Sequence, residues 1–214
     1  IAAFAELDAA LPPEVILLSS TSGLAMTEIQ VRCRHPERTV VGHPFTPPYL
    51  IPLVEVVGGR QTAPEAVAWA AEFYRASGKH VLELEREAPG FVANRLQEAL
   101  WREALHMVAT GEASVAEIDA AITEGPGLRW AAMGPCLTFH LAGGEGGMAH
   151  MLDHFGPALE DPWTRLTAPE LTNDLRRRMI EGCLDEPQGR SIGDLMRQRD
   201  EALIAILAAR KPTA

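Results

Sequence analysis

Cysteine is scarce in these 214 residues: Cys33, Cys136 and Cys183 stand far apart, odd in number and without a CxxC pair. That pattern argues against a disulfide framework or a thiolate metal site and suits reduced thiols in a cytoplasm. Long apolar runs are missing too, since nothing approaches the roughly eighteen consecutive residues that a membrane span needs. Positive charge is in the minority, with Lys plus Arg 19 against Asp plus Glu 29 and a formal net charge of −10. This balance sets aside nucleic acid as the main partner, because phosphate-backbone binding rests on clustered cations. Both halves of the chain share the acidic excess, so neither is a charged tail. No repeat is evident, and the only local bias is GGEGG at Gly143 to Gly147.

What is present reads as a folded protein: 47% hydrophobic and 22% charged residues, enough for one large or two modest domains. Ala2 to Leu11 has helical composition and stops at Pro12 and Pro13. Val15 to Leu18, Thr39 to Gly42, Leu53 to Val57 and Val81 to Leu84 are short apolar runs expected as strands. Between them, Thr27 to Arg34 suits a short helix, and Thr62, heading the segment TAPE, caps a second that ends at Gly78. Alternating strands and helices predict part of a parallel α/β sheet. After Pro89 and Gly90 only helical patterns remain: Phe91 to Ala109, one capped by Ser114 with Glu117, then Met133 to Leu141, Pro169 to Cys183 and Ser191 to Ala209. The expected class is therefore α/β over 1–88 followed by all-α over 89–214.

Four polar residues fall near predicted strand ends or a helix start: Ser22, His43, Glu55 and Asn94. In open α/β sheets ligands bind at the carboxyl ends of strands. Glu55 sits inside the apolar strand LVEVV, where an ionised carboxylate needs a partner. An imidazole would serve: Glu55 would accept from one ring nitrogen and set the tautomer, leaving the other nitrogen to act as a general base. Each residue alone also has an ordinary reading. His43 could be a loop residue beside Pro44, Glu55 a strand residue on a wet face, Ser22 a turn residue and Asn94 a solvated helix position.

Three segments in order resemble the 3-hydroxyacyl-CoA dehydrogenase family: SSTSGL at Ser19 to Leu24, GHPFTPPYLIPLVEVVGG at Gly42 to Gly59, and PGFVANRLQEAL at Pro89 to Leu100. The resemblance implies an NAD-binding Rossmann domain, here only its C-terminal part over 1–88, then a helical substrate-binding and dimerisation domain over 89–214. It implies that Ser22, His43, Glu55 and Asn94 form the catalytic site, with Ser22 also touching the cofactor, and no metal. No strand followed by GxGxxG appears in the sequence. On this reading about 100 residues of the glycine-rich first half belong to a longer polypeptide. Thr46 departs from the family, which usually has Asn in that place.

Within the family, EGPGLRWAAMGP, FHLAGGEGGMAHMLDHFGPALEDPWTRL and SIGDLMRQRDEALIAIL resemble members that oxidise L-carnitine, a small free 3-hydroxy acid. The rival expectations are L-gulonate, a 3-hydroxyacyl-CoA thioester such as 3-hydroxybutyryl-CoA, and a non-catalytic structural relative. For a trimethylammonium substrate, Trp130, Phe139, Phe155 and Trp163 are candidate aromatic faces, with core packing as the ordinary alternative for each. Arg129 is a candidate for the substrate carboxylate. The apolar faces of Phe91 to Ala109 and Ser191 to Ala209 predict a homodimer through the helical part.

Overall fold

Strand alternation organises the first half of the chain. The computed structural model describes residues 1–157, 164–165, 167–185 and 190–209. Two compact units are present, Ile1–Glu98 and Ala99–Ala214.

The first unit opens with α1 (Ala2–Ala10) and then carries a four-stranded sheet in the order β1 (Leu17–Ser19), β2 (Thr39–Pro44), β3 (Leu53–Gly58), β4 (His80–Glu83). All four strands lie where apolar runs predict them, shifted by at most a few residues. β1 pairs parallel with β2 across a connection holding α2 (Met26–Ile29), and β3 pairs parallel with β4 across α3 (Pro64–Ala76). β2 and β3, however, pair antiparallel, so the sheet is mixed where an all-parallel one is expected from the pattern. The reason is the link: residues 45–52 are rich in proline and too short for the crossover that parallel neighbours require.

Side chains alternate across this sheet. Val40, Val54 and Val56 pack on Ala66 and Ala70 of α3, while Val41 and Val57 pack with Met26, Ile29 and Phe91 on the opposite face. Burial on both faces is why these strands read as continuous apolar runs. Gly42 is required by the approach of α3, because a Cβ there would lie 2.3 Å from the Tyr74 ring. Burial pushes the Tyr74 phenol up, and its hydroxyl donates to the Gly42 carbonyl at 3.4 Å. A second buried knot ties α1 to the sheet: Arg38 donates to the Asp8 carboxylate at 2.8 and 3.0 Å. The same guanidinium reaches the backbone carbonyls of Asp8, Leu11, Pro12 and Val15.

Thr62 is not the expected cap. The α3 N-cap is Ala63, with Pro64 opening the helix. The Thr62 hydroxyl instead accepts from Gly59 N–H at 2.8 Å and donates to the Thr39 carbonyl at 2.6 Å, pinning the turn between β3 and α3.

α4 (Ala93–Thr110) runs through the division at Glu98. The second unit adds α5 (Val115–Thr123), α6 (Pro126–Ala132), α7 (Pro135–Ala142), α8 (Gly147–Phe155), α9 (Asn173–Asp185) and α10 (Ile192–Ala209). Ser114 and Glu117 form the expected capping box on α5. The helices α6 and α8 are missing from the sequence reading because Gly125-Pro126-Gly127 and the GGEGG run both look like turns. Pro126 in fact occupies the first turn of α6, where its missing N–H costs nothing. α8 begins on Gly147, whose φ of 56° only glycine adopts easily. Val108, Val115 and Leu175 form the unit's small core. No helix among the described residues is long and apolar enough to cross a membrane.

Candidate active site

His43 and Glu55, twelve positions apart, meet because of register. They are direct partners on the antiparallel strands β2 and β3, and alternation turns both to the face that carries Val41 and Val57. His43 Nδ1 lies 2.9 Å from Glu55 Oε2. Glu55 is fully buried and His43 is 4% exposed. An ionised carboxylate in such a place costs several kcal/mol unless it is paired and hydrogen-bonded. Glu55 meets that requirement, since its Oε1 also accepts the backbone N–H groups of Val92 and Ala93 at 2.9 and 3.0 Å.

With Glu55 ionised, its oxygens can only accept, so the Nδ1 proton belongs to the imidazole and the lone pair to Nε2. Nε2 makes no hydrogen bond to any described residue. Phe45 and Phe91 stand at ring-centroid distances of 4.6 and 5.5 Å from the imidazole and restrict its rotation.

His43 opens on a cavity of about 430 Å³ lined also by Ser20, Ser22, Pro44, Phe45, Thr46, Asn94 and Gln97. Its position follows the topology, for it lies past the carboxyl ends of the parallel pair β1 and β2, where ligands bind in open α/β sheets. Of the four residues expected together, Ser22, His43 and Asn94 line this space and Glu55 stands behind His43. Asn94 Nδ2 donates to the Ser22 carbonyl at 2.6 Å, so one of its donors holds the serine loop in place. Thr46 is exposed and also lines the cavity, alongside His43.

Sequence reasoning missed Phe45, Phe91 and Gln97. Gln97 had a helical signal, because it follows Asn94 by one turn on α4 and therefore shares its face. Phe91 had none, for its importance lies in a backbone angle that composition does not show. No strand followed by GxGxxG lies in these residues, yet Ser20 and Ser22 at the β1 end, with no carboxylate among the lining residues, suit the nicotinamide end of a dinucleotide.

Arg129 and Trp130 lie on α6, Phe139 on α7 and Phe155 on α8, all in the second unit. Phe139 and Phe155 are half exposed, and neither belongs to the Val108 core. Phe155 packs edge-on against His154. Trp163 lies outside the described residues. Among the described residues, no group of three or more His, Cys, Asp or Glu side chains is placed to hold a metal ion.

Residues 1–88 match the family model for the NAD binding domain of 3-hydroxyacyl-CoA dehydrogenase, and residues 90–183 match the model for its C-terminal domain. The chain is 67% identical over 205 residues to an L-carnitine dehydrogenase of Streptomyces griseus, a match spanning 96% of this chain and 61% of that protein. It is 64% identical over 205 residues to an L-carnitine dehydrogenase of Streptomyces coelicolor, spanning 96% of this chain and 64% of the relative. The chain therefore spans less than two thirds of the length of these relatives. Among solved structures, an NAD-dependent 5-formyl-3-hydroxy-2-methylpyridine 4-carboxylic acid 5-dehydrogenase superposes with a TM-score of 0.81 at 26% identity. That match covers 98% of this chain and 69% of the other.

Proposed function

Because the chain belongs to the 3-hydroxyacyl-CoA dehydrogenase family, we propose that the polypeptide containing it oxidises the 3-hydroxyl of L-carnitine to 3-dehydrocarnitine with NAD. The observation that carries the chemistry is the buried His43–Glu55 pair, whose unengaged nitrogen belongs to a residue lining a polar cavity. The choice of a free hydroxy acid rests on the high identity to L-carnitine dehydrogenases.

NAD, when bound, supplies the acceptor for the hydride leaving C3. The residues of this chain do the rest. His43 Nε2 takes the hydroxyl proton as the carbonyl forms, and Glu55 stabilises the resulting imidazolium through Nδ1–H. Ser22, which lines the cavity, would donate to the reacting oxygen and help hold the nicotinamide end of the cofactor. Asn94 positions the Ser22 loop through its amide nitrogen and presents its remaining polar atoms to substrate or a bridging water.

In the second unit we assign Trp130, Phe139 and Phe155 to the trimethylammonium group, at about 0.5 to 2 kcal/mol per well-placed ring. We assign Arg129 to the carboxylate. We also place residues 1–88 as the C-terminal part of the NAD-binding domain and 89–214 as the substrate-binding and dimerisation domain. A homodimer is supported by α10, which buries none of its own residues, and by exposed Ile180, Leu184 and Ile192. Three widely spaced cysteines without a CxxC pair suit a cytoplasmic location, and the net charge of −10 fits a small-molecule partner rather than nucleic acid.

The test is NADH formation by the intact polypeptide with L-carnitine, L-gulonate and 3-hydroxybutyryl-CoA in parallel. L-carnitine should give the highest kcat/KM. Preference for the CoA thioester would overturn the substrate assignment, and no turnover of any of the three would overturn the dehydrogenase reading.

A further inference from the structure

Among the described residues, Phe91 is the one non-glycine residue with a left-handed backbone, at φ 53°. A bulky aromatic resists that region, so the surrounding structure must hold it there. The anchor is visible: Phe91 is 1% exposed and packs among Met26, Ile29, Val41 and Val57. The turn has a consequence for the two residues that follow. It points the N–H groups of Val92 and Ala93 at Glu55 Oε1, while the Phe91 ring stands 5.5 Å from the His43 imidazole.

We propose that Phe91 is a positioning residue for the His43 base: its buried ring locks the left-handed turn that presents two amides to Glu55 Oε1 and so orients Oε2 toward His43 Nδ1. This rests on the dehydrogenase reading above. Without the lock, the two amides lose their fixed direction, Glu55 is no longer held from both sides, and the imidazole is freed to rotate. The loss belongs to proton transfer rather than to substrate affinity.

The experiment uses the intact polypeptide. Phe91→Gly keeps the left-handed turn free of steric cost but removes the anchor. We expect kcat to fall at least tenfold, KM for NAD and for L-carnitine to stay within threefold, and the nitrogen-15 spectrum of His43 to show loss of the single Nδ1-protonated tautomer. A folded Phe91→Gly protein with kcat within threefold of the parent, a loss carried by KM alone, or an unchanged His43 spectrum overturns the proposal. If Phe91→Gly fails to fold, Phe91→Leu, which retains much of the buried volume, should lower kcat three- to tenfold at unchanged KM, and an unaltered kcat overturns it. The His43 spectrum needs no turnover, so a failure of the dehydrogenase reading is told apart from a failure of this one.

Discussion

The two units differ in what they bury. The first hides Asp8, Gln30, Arg38, Thr39, His43 and Glu55 within its core, whereas among the described residues of the second Thr138 is the one buried polar residue. The first unit can do this because a sheet covered on both faces supplies fixed backbone and side-chain partners for each polar group. The Gln30 amide, for instance, donates to the Thr39 hydroxyl and to the Pro36 carbonyl, each at 2.9 Å. The second unit is built from helices, with Val108, Val115 and Leu175 as its small core, and exposes large apolar side chains such as Ile192 at 74%. Polar burial thus marks the unit that holds the His43–Glu55 pair, while both units expose large apolar side chains.

Substitutions can break this contrast, and the largest effect is expected at the site itself. His43→Gln retains an N–H for Glu55 but removes the base, so kcat should fall about 10²- to 10⁴-fold with the thermal midpoint nearly unchanged. Steady-state kinetics beside a melting curve checks both halves of that statement. Next comes the structural knot of the same unit. Arg38→Ala leaves the buried Asp8 carboxylate without its cation and takes a donor from four backbone carbonyls, which should cost about 3 to 5 kcal/mol in a denaturant titration while leaving the His43–Glu55 geometry to the strands that make it.

Acid should sharpen the comparison. Burial alone would push the Asp8 carboxyl up, but the Arg38 guanidinium and the N–H groups of Arg34 and His35 outweigh it and hold the carboxyl below its usual 3.8. A carboxyl lowered in the folded state stabilises the protein above its unfolded pKa, and that contribution is lost as pH falls from about 4 through the lower folded value. In the second unit the lowered carboxyls are exposed: Glu112 is held by Arg165, Glu117 by the Ser114 backbone, Asp174 by Arg177 and Asp194 by Ser191. Salt screens exposed pairs and spares buried ones. Acid unfolding followed at low and high salt should therefore retain an Asp8 component that Asp8→Asn abolishes. A smaller effect belongs to Ser114→Ala, which removes one half of the capping box on α5 and should cost about 1 kcal/mol by thermal unfolding.

Local pattern carried much of this structure. The strands were legible because burial on both faces demands continuous apolar runs, and the α5 cap was legible because Ser114 and Glu117 occupy a fixed three-residue spacing. Thr62 shows the limit of such signals: its hydroxyl had a tertiary partner in the Thr39 carbonyl that outcompeted the cap. The helices α6 and α8 were obscured because proline and glycine signal a turn and a helix start with the same letters.

At the site, the sequence by itself determined that Glu55 needed a partner, since charge inside an apolar strand is too costly to leave alone. It also set the short proline-rich link that forces β2 and β3 to run antiparallel. Only the tertiary structure decided that the partner is His43, because pairing register fixes which residues stand opposite one another. It alone decided that Phe91 bends its backbone to aim two amides at the same carboxylate, a direction set by packing on four distant side chains.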